Sequence, residues 1–124
     1  VHTLGVHARA ALAARQHVVL HVAGGFIPKL SASRLLADLA ERIPWGAARG
    51  LVLSGGGTAE AILHSLGAVG IQLMGSRLPP GCSVGTLHGG PLEGTWVLLK
   101  AGGFGPETLL GNLLAPAPGL PQLA

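Results

Sequence analysis

A short apolar run, Gly50-Leu51-Val52-Leu53-Ser54, passes directly into Gly55-Gly56-Gly57-Thr58-Ala59-Glu60. Ile62, Leu63 and Leu66 then recur at helical spacing. This order predicts a buried strand, a tight turn and an amphipathic helix, with Thr58 as cap and Gly67 as stop. A strand that turns at once into a helix must lay that helix back on its own sheet, so the chain is held to an α/β layer.

The flanking segments alternate in the same way. Leu4, His7, Ala8, Ala11 and Leu12 after Thr3 predict a helix over residues 4–15, and residues 17–23 (HVVLHVA) predict a buried strand. Leu35, Leu36, Leu39, Ala40 and Ile43 form one helical stripe, ended by Pro44. Residues 70–73 and 95–99 read as further strands. Pro106 suits the first position of a last helix that buries Leu109, Leu110, Leu113 and Leu114. Between them, residues 78–94 carry three prolines and four of the glycines' turn signals, at Gly81, Gly85, Gly89 and Gly90, and read as a long loop. The expected architecture is a layered α/β/α domain with a largely parallel sheet over residues 1–114, followed by a Pro-rich tail at 115–124.

Composition narrows the function classes. Only 10% of the 124 residues are charged, against roughly 25% in an ordinary soluble domain. So little polar cover, and a first residue that is Val1, raise the expectation of a missing domain or a subunit contact, and a homodimer is one such arrangement. The net charge of +3 comes from basic residues scattered singly, with no Tyr and two Phe, which argues against a nucleic-acid partner. No uncharged apolar run reaches the ~20 residues of a bilayer span, so no membrane partner is expected. One cysteine, Cys82, fits a reducing cytoplasm.

Two sites could carry chemistry. At Ser54–Glu60 a strand ends in glycines and a helix begins, so backbone N–H groups and the helix dipole converge where an anion could sit. No Gly-Lys-Ser/Thr follows, and Glu60 stands where a dinucleotide fingerprint has its third glycine. From spacing alone, a phosphate cradle and a plain strand-to-helix turn fit equally well. The second site is Lys100-Ala101-Gly102-Gly103-Phe104-Gly105-Pro106-Glu107, where Lys100 at a strand end can offer a point charge to a phosphate. The bland alternative makes it a surface Lys beside a turn, with Phe104 plugging the core.

Taken in order, residues 51–59 (LVLSGGGTA), Leu66-Gly67, Pro80-Gly81 and residues 100–105 (KAGGFG) resemble the four-carbon acid sugar kinase family. The resemblance runs from about Val18 to Leu114 and is to the latter part of that family's C-terminal nucleotide-binding domain. It implies an ATP- and Mg²⁺-dependent kinase acting on a four-carbon sugar acid, the acid being held by an N-terminal domain that this chain lacks. Gly55, Gly56, Gly57 and Thr58 would then line the nucleotide phosphates, and Gly102 and Gly103 would close over the nucleotide. Two features depart from the family: Gly57 stands where an Asp is usual, and a serine-containing turn near the start of the nucleotide domain is missing. The rival reading is a non-catalytic binding or assembly domain that keeps the fold without the chemistry.

Other polar residues promise less. His17 and His21 could share a metal, but no acid or Cys joins them, and no metal ligand set is assigned. Cys82 and His88 share the 78–94 segment, with Glu93 as the near acid, as a nucleophilic pair would require.

Overall fold

The computed structural model describes residues 2–22, 29–43, 45, 48–75 and 78–114. They form helices α1 (His2–Ala13) and α2 (Lys29–Ala40), strand β1 (Gly50–Ser54), helix α3 (Gly56–Ser65), strands β2 (Gly70–Leu73), β3 (Cys82–His88) and β4 (Trp96–Lys100), and helix α4 (Leu109–Leu114). The strands make one sheet in the order β1-β4-β3-β2. β1 and β4 run parallel, with Leu51 opposite Val97 and Leu53 opposite Leu99. β3 is antiparallel to both β4 and β2.

The sheet is therefore mixed, which corrects the largely parallel expectation. The cause is β3, which lies inside the segment expected to be loop. Its Val84 and Leu87 are buried, and Gly85 sits so close to β2 that a Cβ there would meet the Gln72 carbonyl oxygen and come within 2.6 Å of Ile71 Cγ2. The connections on either side are too short for a crossover helix, so β3 can only pair antiparallel with its neighbours. The turn into β4 is closed by Leu87 N–H donating to Thr95 O at 2.8 Å and Gly94 N–H to Leu87 O at 2.8 Å.

The layering is as expected. On one face Leu51, Leu53, Leu87 and Val97 pack against Ala37 and Ala40 of α2, Ala59 and Ile62 of α3, and Leu66 at its C-cap. On the other, Leu98 packs with Leu109 and Leu113 of α4. Trp45 Nε1–H donates to Ala40 O at 3.0 Å and satisfies a carbonyl at the end of α2. α3 ends at Gly67 (φ +73), where Gly67 N–H reaches His64 O at 3.1 Å and Ala68 N–H reaches Leu63 O at 3.0 Å. This paired C-terminal motif needs the left-handed backbone that glycine adopts freely.

Two expectations change in detail, and others fall on residues that are not described. Residues 17–22 form no strand, and Val19, His17 and His21 lie exposed, because an apolar run becomes a strand only where a neighbour pairs with it. Residue 23, Pro44 and the 115–124 tail lie outside the described residues. α4 begins three residues after Pro106, whose carbonyl accepts Leu109 N–H at 3.0 Å in a lead-in turn.

Candidate functional site

Because β1 and β4 are adjacent and parallel, their carboxyl ends open at the same edge of the sheet, with Ser54 opposite Lys100. The two glycine turns that follow are in contact. Gly55 N–H donates to Lys100 O at 2.9 Å, and a Cβ on Gly102 would stand 3.6 Å from the Gly55 Cα. Gly55 is the N-cap of α3 with φ 94 and ψ 128, a conformation that side chains rarely tolerate, so glycine is required there.

The first helical bond is Ala59 N–H to Gly55 O at 2.9 Å. The N–H groups of Gly56, Gly57 and Thr58 precede it and donate to no backbone carbonyl among the described residues. Nothing lies within 4 Å of a Cβ built on Gly56 or on Gly57. Three such donors at the positive end of a helix with no side-chain cap can hold the oxygens of an anion.

Thr58 does not cap the helix, since Gly55 occupies that place. It lies in the first turn, and its hydroxyl meets Ser33 Oγ of α2 at 3.3 Å. Ser33 is 6% exposed and is a site residue that sequence reasoning missed. The available signal was a hydroxyl four residues before Ala37, on the inward stripe of α2.

Lys100 stands at the end of β4 as expected, but its ammonium folds back and donates to Ala101 O and Gly102 O, both at 3.0 Å. Two of its three protons shape the second turn. Beyond that turn an open cleft of about 280 Å³ is lined by Lys100, Gly102, Gly103, Phe104, Glu107 and Leu110 among others. Phe104 is 56% exposed and does not plug the core.

The remaining candidates separate. Cys82 and His88 sit at opposite ends of β3, roughly 20 Å apart at ~3.3 Å per residue, too far for a nucleophilic pair. His88 instead bonds Gln72 Oε1 at 3.2 Å and lies 3.6 Å from Glu93 Oε1 on an exposed surface. Among the described residues, no group of three or more His, Cys, Asp or Glu side chains gathers to hold a metal. No described helix is long and apolar enough to cross a membrane.

Residues 7–110 match the family of nucleotide-binding C-terminal domains. A D-threonate kinase of Bordetella bronchiseptica is 42% identical over 81 residues, which are 64% of this chain and 20% of that protein. The chain belongs to the four-carbon acid sugar kinase family, as its C-terminal nucleotide-binding domain. Two crystal structures of a domain of unknown function from Bordetella bronchiseptica, both domain-swapped dimers with bound citrate, share the fold. One superposes with a TM-score of 0.65 at 32% identity, over 87% of this chain and 28% of that one. The other gives 0.63 at 35% identity, over 82% and 27%. This nucleotide-binding domain thus spans between a fifth and somewhat more than a quarter of the length of these relatives. Its paired glycine turns lie inside the matched residues, and Gly57 and Thr58 stand in the first turn of α3.

Proposed function

We propose that this chain is the nucleotide-binding portion of an ATP-dependent kinase that phosphorylates an alcohol group of a four-carbon sugar acid of the erythronate, threonate or oxo-tetronate type. The observation that carries the proposal is the contact between the two glycine turns at the ends of β1 and β4, beside three backbone donors that meet no backbone acceptor among the described residues. Gly55, Gly56, Gly57 and Thr58 would hold the phosphates by backbone N–H groups. Lys100 holds the second turn in shape, so that Gly102 and Gly103 can lie over the nucleotide. ATP supplies the phosphoryl group, and positioning with charge neutralisation accounts for most catalysis of such transfers.

The turns fit the nucleotide better than they fit its metal. Residues 54–58 and 101–106 contain no carboxylate, so Mg²⁺ would be held by phosphate and water oxygens, as it commonly is beside ATP. The sugar acid would be held by an N-terminal domain, and the reaction would run in the cytoplasm, where ATP is supplied. A homodimer is consistent with the domain-swapped assemblies of the two solved relatives. The absence of an acid at Gly57 favours a second reading, a binding or assembly domain without turnover.

Titration of the chain with ATP and ADP is expected to give weak, saturable binding, with no phosphorylation of a tetronic acid by the chain alone. Correct placement of an attacking hydroxyl supplies a large part of any such rate. Turnover by the chain alone would contradict assignment of the acid to another domain, and absence of binding would contradict the nucleotide assignment itself. Gly57→Asp tests whether that position has a metal role. Gly57 is helical with open space around a built Cβ, and an acid in a first helical turn is stabilising, so the variant should fold. A carboxylate there would repel bare ATP and require a cation between them. ATP affinity should therefore depend on Mg²⁺ more strongly in Gly57→Asp than in the native chain; equal dependence would deny that position a metal role.

A further inference from the structure

We propose that Phe104 is the platform on which the base of the bound nucleotide stacks, an inference that rests on the nucleotide reading above. The chain has two Phe, two Trp and no Tyr, and the aromatics among the described residues are Trp45, Trp96 and Phe104. Trp45 and Trp96 are half-buried in the two cores, whereas Phe104 keeps 56% of its surface in solvent. Its ring forms part of the cleft beside the second glycine turn, with Pro106, Leu109 and Leu110.

The chemistry of that cleft sorts the two ends of a nucleotide. Its lining is largely apolar and carries one carboxylate, Glu107, while the Lys100 ammonium is engaged by two turn carbonyls. A phosphate there would meet the Glu107 carboxylate beside an ammonium that the turn carbonyls already hold by two of its three protons; a neutral heteroaromatic ring meets no like charge. Gly102, which lines the cleft, stands beside Gly55, the cap residue that precedes the N–H donors of Gly56 to Thr58. Phosphates on the first turn and base on Phe104 is the orientation that matches both surfaces. At about 280 Å³ the open cleft lies just below the usual range of ligand pockets, so it suits a part of the nucleotide and not the whole.

Phe104 is held in place before any ligand arrives. Its Cβ and Cγ lie over Gly81, where a built Cβ would come within 2.9 Å of either atom. Phe104 N–H donates to Ala101 O at 3.1 Å, and Ala101 N–H donates to Gly81 O at 2.8 Å. Gly81 has φ +82, so turn and ring are packed on a backbone that only glycine supplies easily. An exposed aromatic fixed this way loses little freedom on stacking.

The test compares Phe104→Ala and Phe104→Trp with the native chain, using ADP and inorganic tripolyphosphate as calorimetric probes. Stacking of a base on an aromatic ring predicts that Phe104→Ala weakens ADP binding about tenfold or more while tripolyphosphate binding is unchanged. Phe104→Trp should retain ADP, with its indole fluorescence changed on binding. Since the ring is largely exposed, thermal melting of the alanine variant reports whether the fold is intact. Native-like ADP affinity in Phe104→Ala, or an equal loss for both probes, overturns the proposal and leaves the nucleotide reading standing. A native chain that binds neither probe overturns the nucleotide reading instead.

Discussion

Alanine in place of Gly90 is expected to lower the melting temperature of this chain by roughly 10 °C or more. Gly90 has φ +73, and a Cβ there would run into the Leu66 carbonyl oxygen and stand 3.0 Å from the carbonyl carbon of Gly67. Both are backbone atoms at the end of α3, fixed by the bonds from Gly67 N–H to His64 O and from Ala68 N–H to Leu63 O. Neither can rotate away as a side chain could. Left-handed strain of ~1 kcal/mol and overpacking of ~1–3 kcal/mol together give about 2–4 kcal/mol. Gly94→Ala is the control, because Gly94 has φ +81 but nothing within 4 Å of a built Cβ. It should show the strain alone. Equal melting temperatures for the two variants would mean that the 89–90 corner does not press on α3. That contact matters for the site, since it fixes the far end of the helix whose first turn carries the free donors.

The β1–α3 unit was legible because every signal within it is local. Apolar residues, glycines and a helical stripe follow one another over some seventeen positions, and the turn between them needs nothing from elsewhere. The contact of the two glycine turns was not local, and it depends on β1 and β4 being neighbours. β3 was hidden for a physical reason. Its apolar alternation is interrupted by Gly85, which packs against the Gln72 backbone of β2, and the Pro79-Pro80-Gly81 turn stands immediately before it. Glycine there reads as a breaker in sequence and acts as a close-approach residue in the sheet. Residues 17–22 show the opposite error. Val18, Val19 and Val22 have strong strand propensity, yet no partner strand meets them among the described residues, and pairing decides such segments. Ser33 and the folded-back Lys100 were illegible because both depend on tertiary partners, a hydroxyl on another helix and the carbonyls of a turn.

Gly56→Val is expected to weaken ATP binding by about two orders of magnitude without lowering the melting temperature. Gly56 is the first residue of α3, its φ lies outside the left-handed region, and a built Cβ meets nothing within 4 Å. Valine therefore fits the protein, and its helix propensity is no worse than that of the glycine it replaces. Its branched side chain would crowd the first turn of the helix, which carries the Gly56, Gly57 and Thr58 N–H groups. A phosphate kept away from two of them loses two hydrogen bonds to a charged group, at ~1.5 kcal/mol or more each, which is roughly a hundredfold in affinity. Inorganic tripolyphosphate should lose as much as ATP, in contrast to its indifference to Phe104→Ala, because the first turn meets phosphates whatever they are attached to. A fully folded Gly56→Val chain with native ATP affinity would place the phosphates elsewhere. The glycines after β1 would then be needed only to turn the chain, as the positive φ of Gly55 already requires.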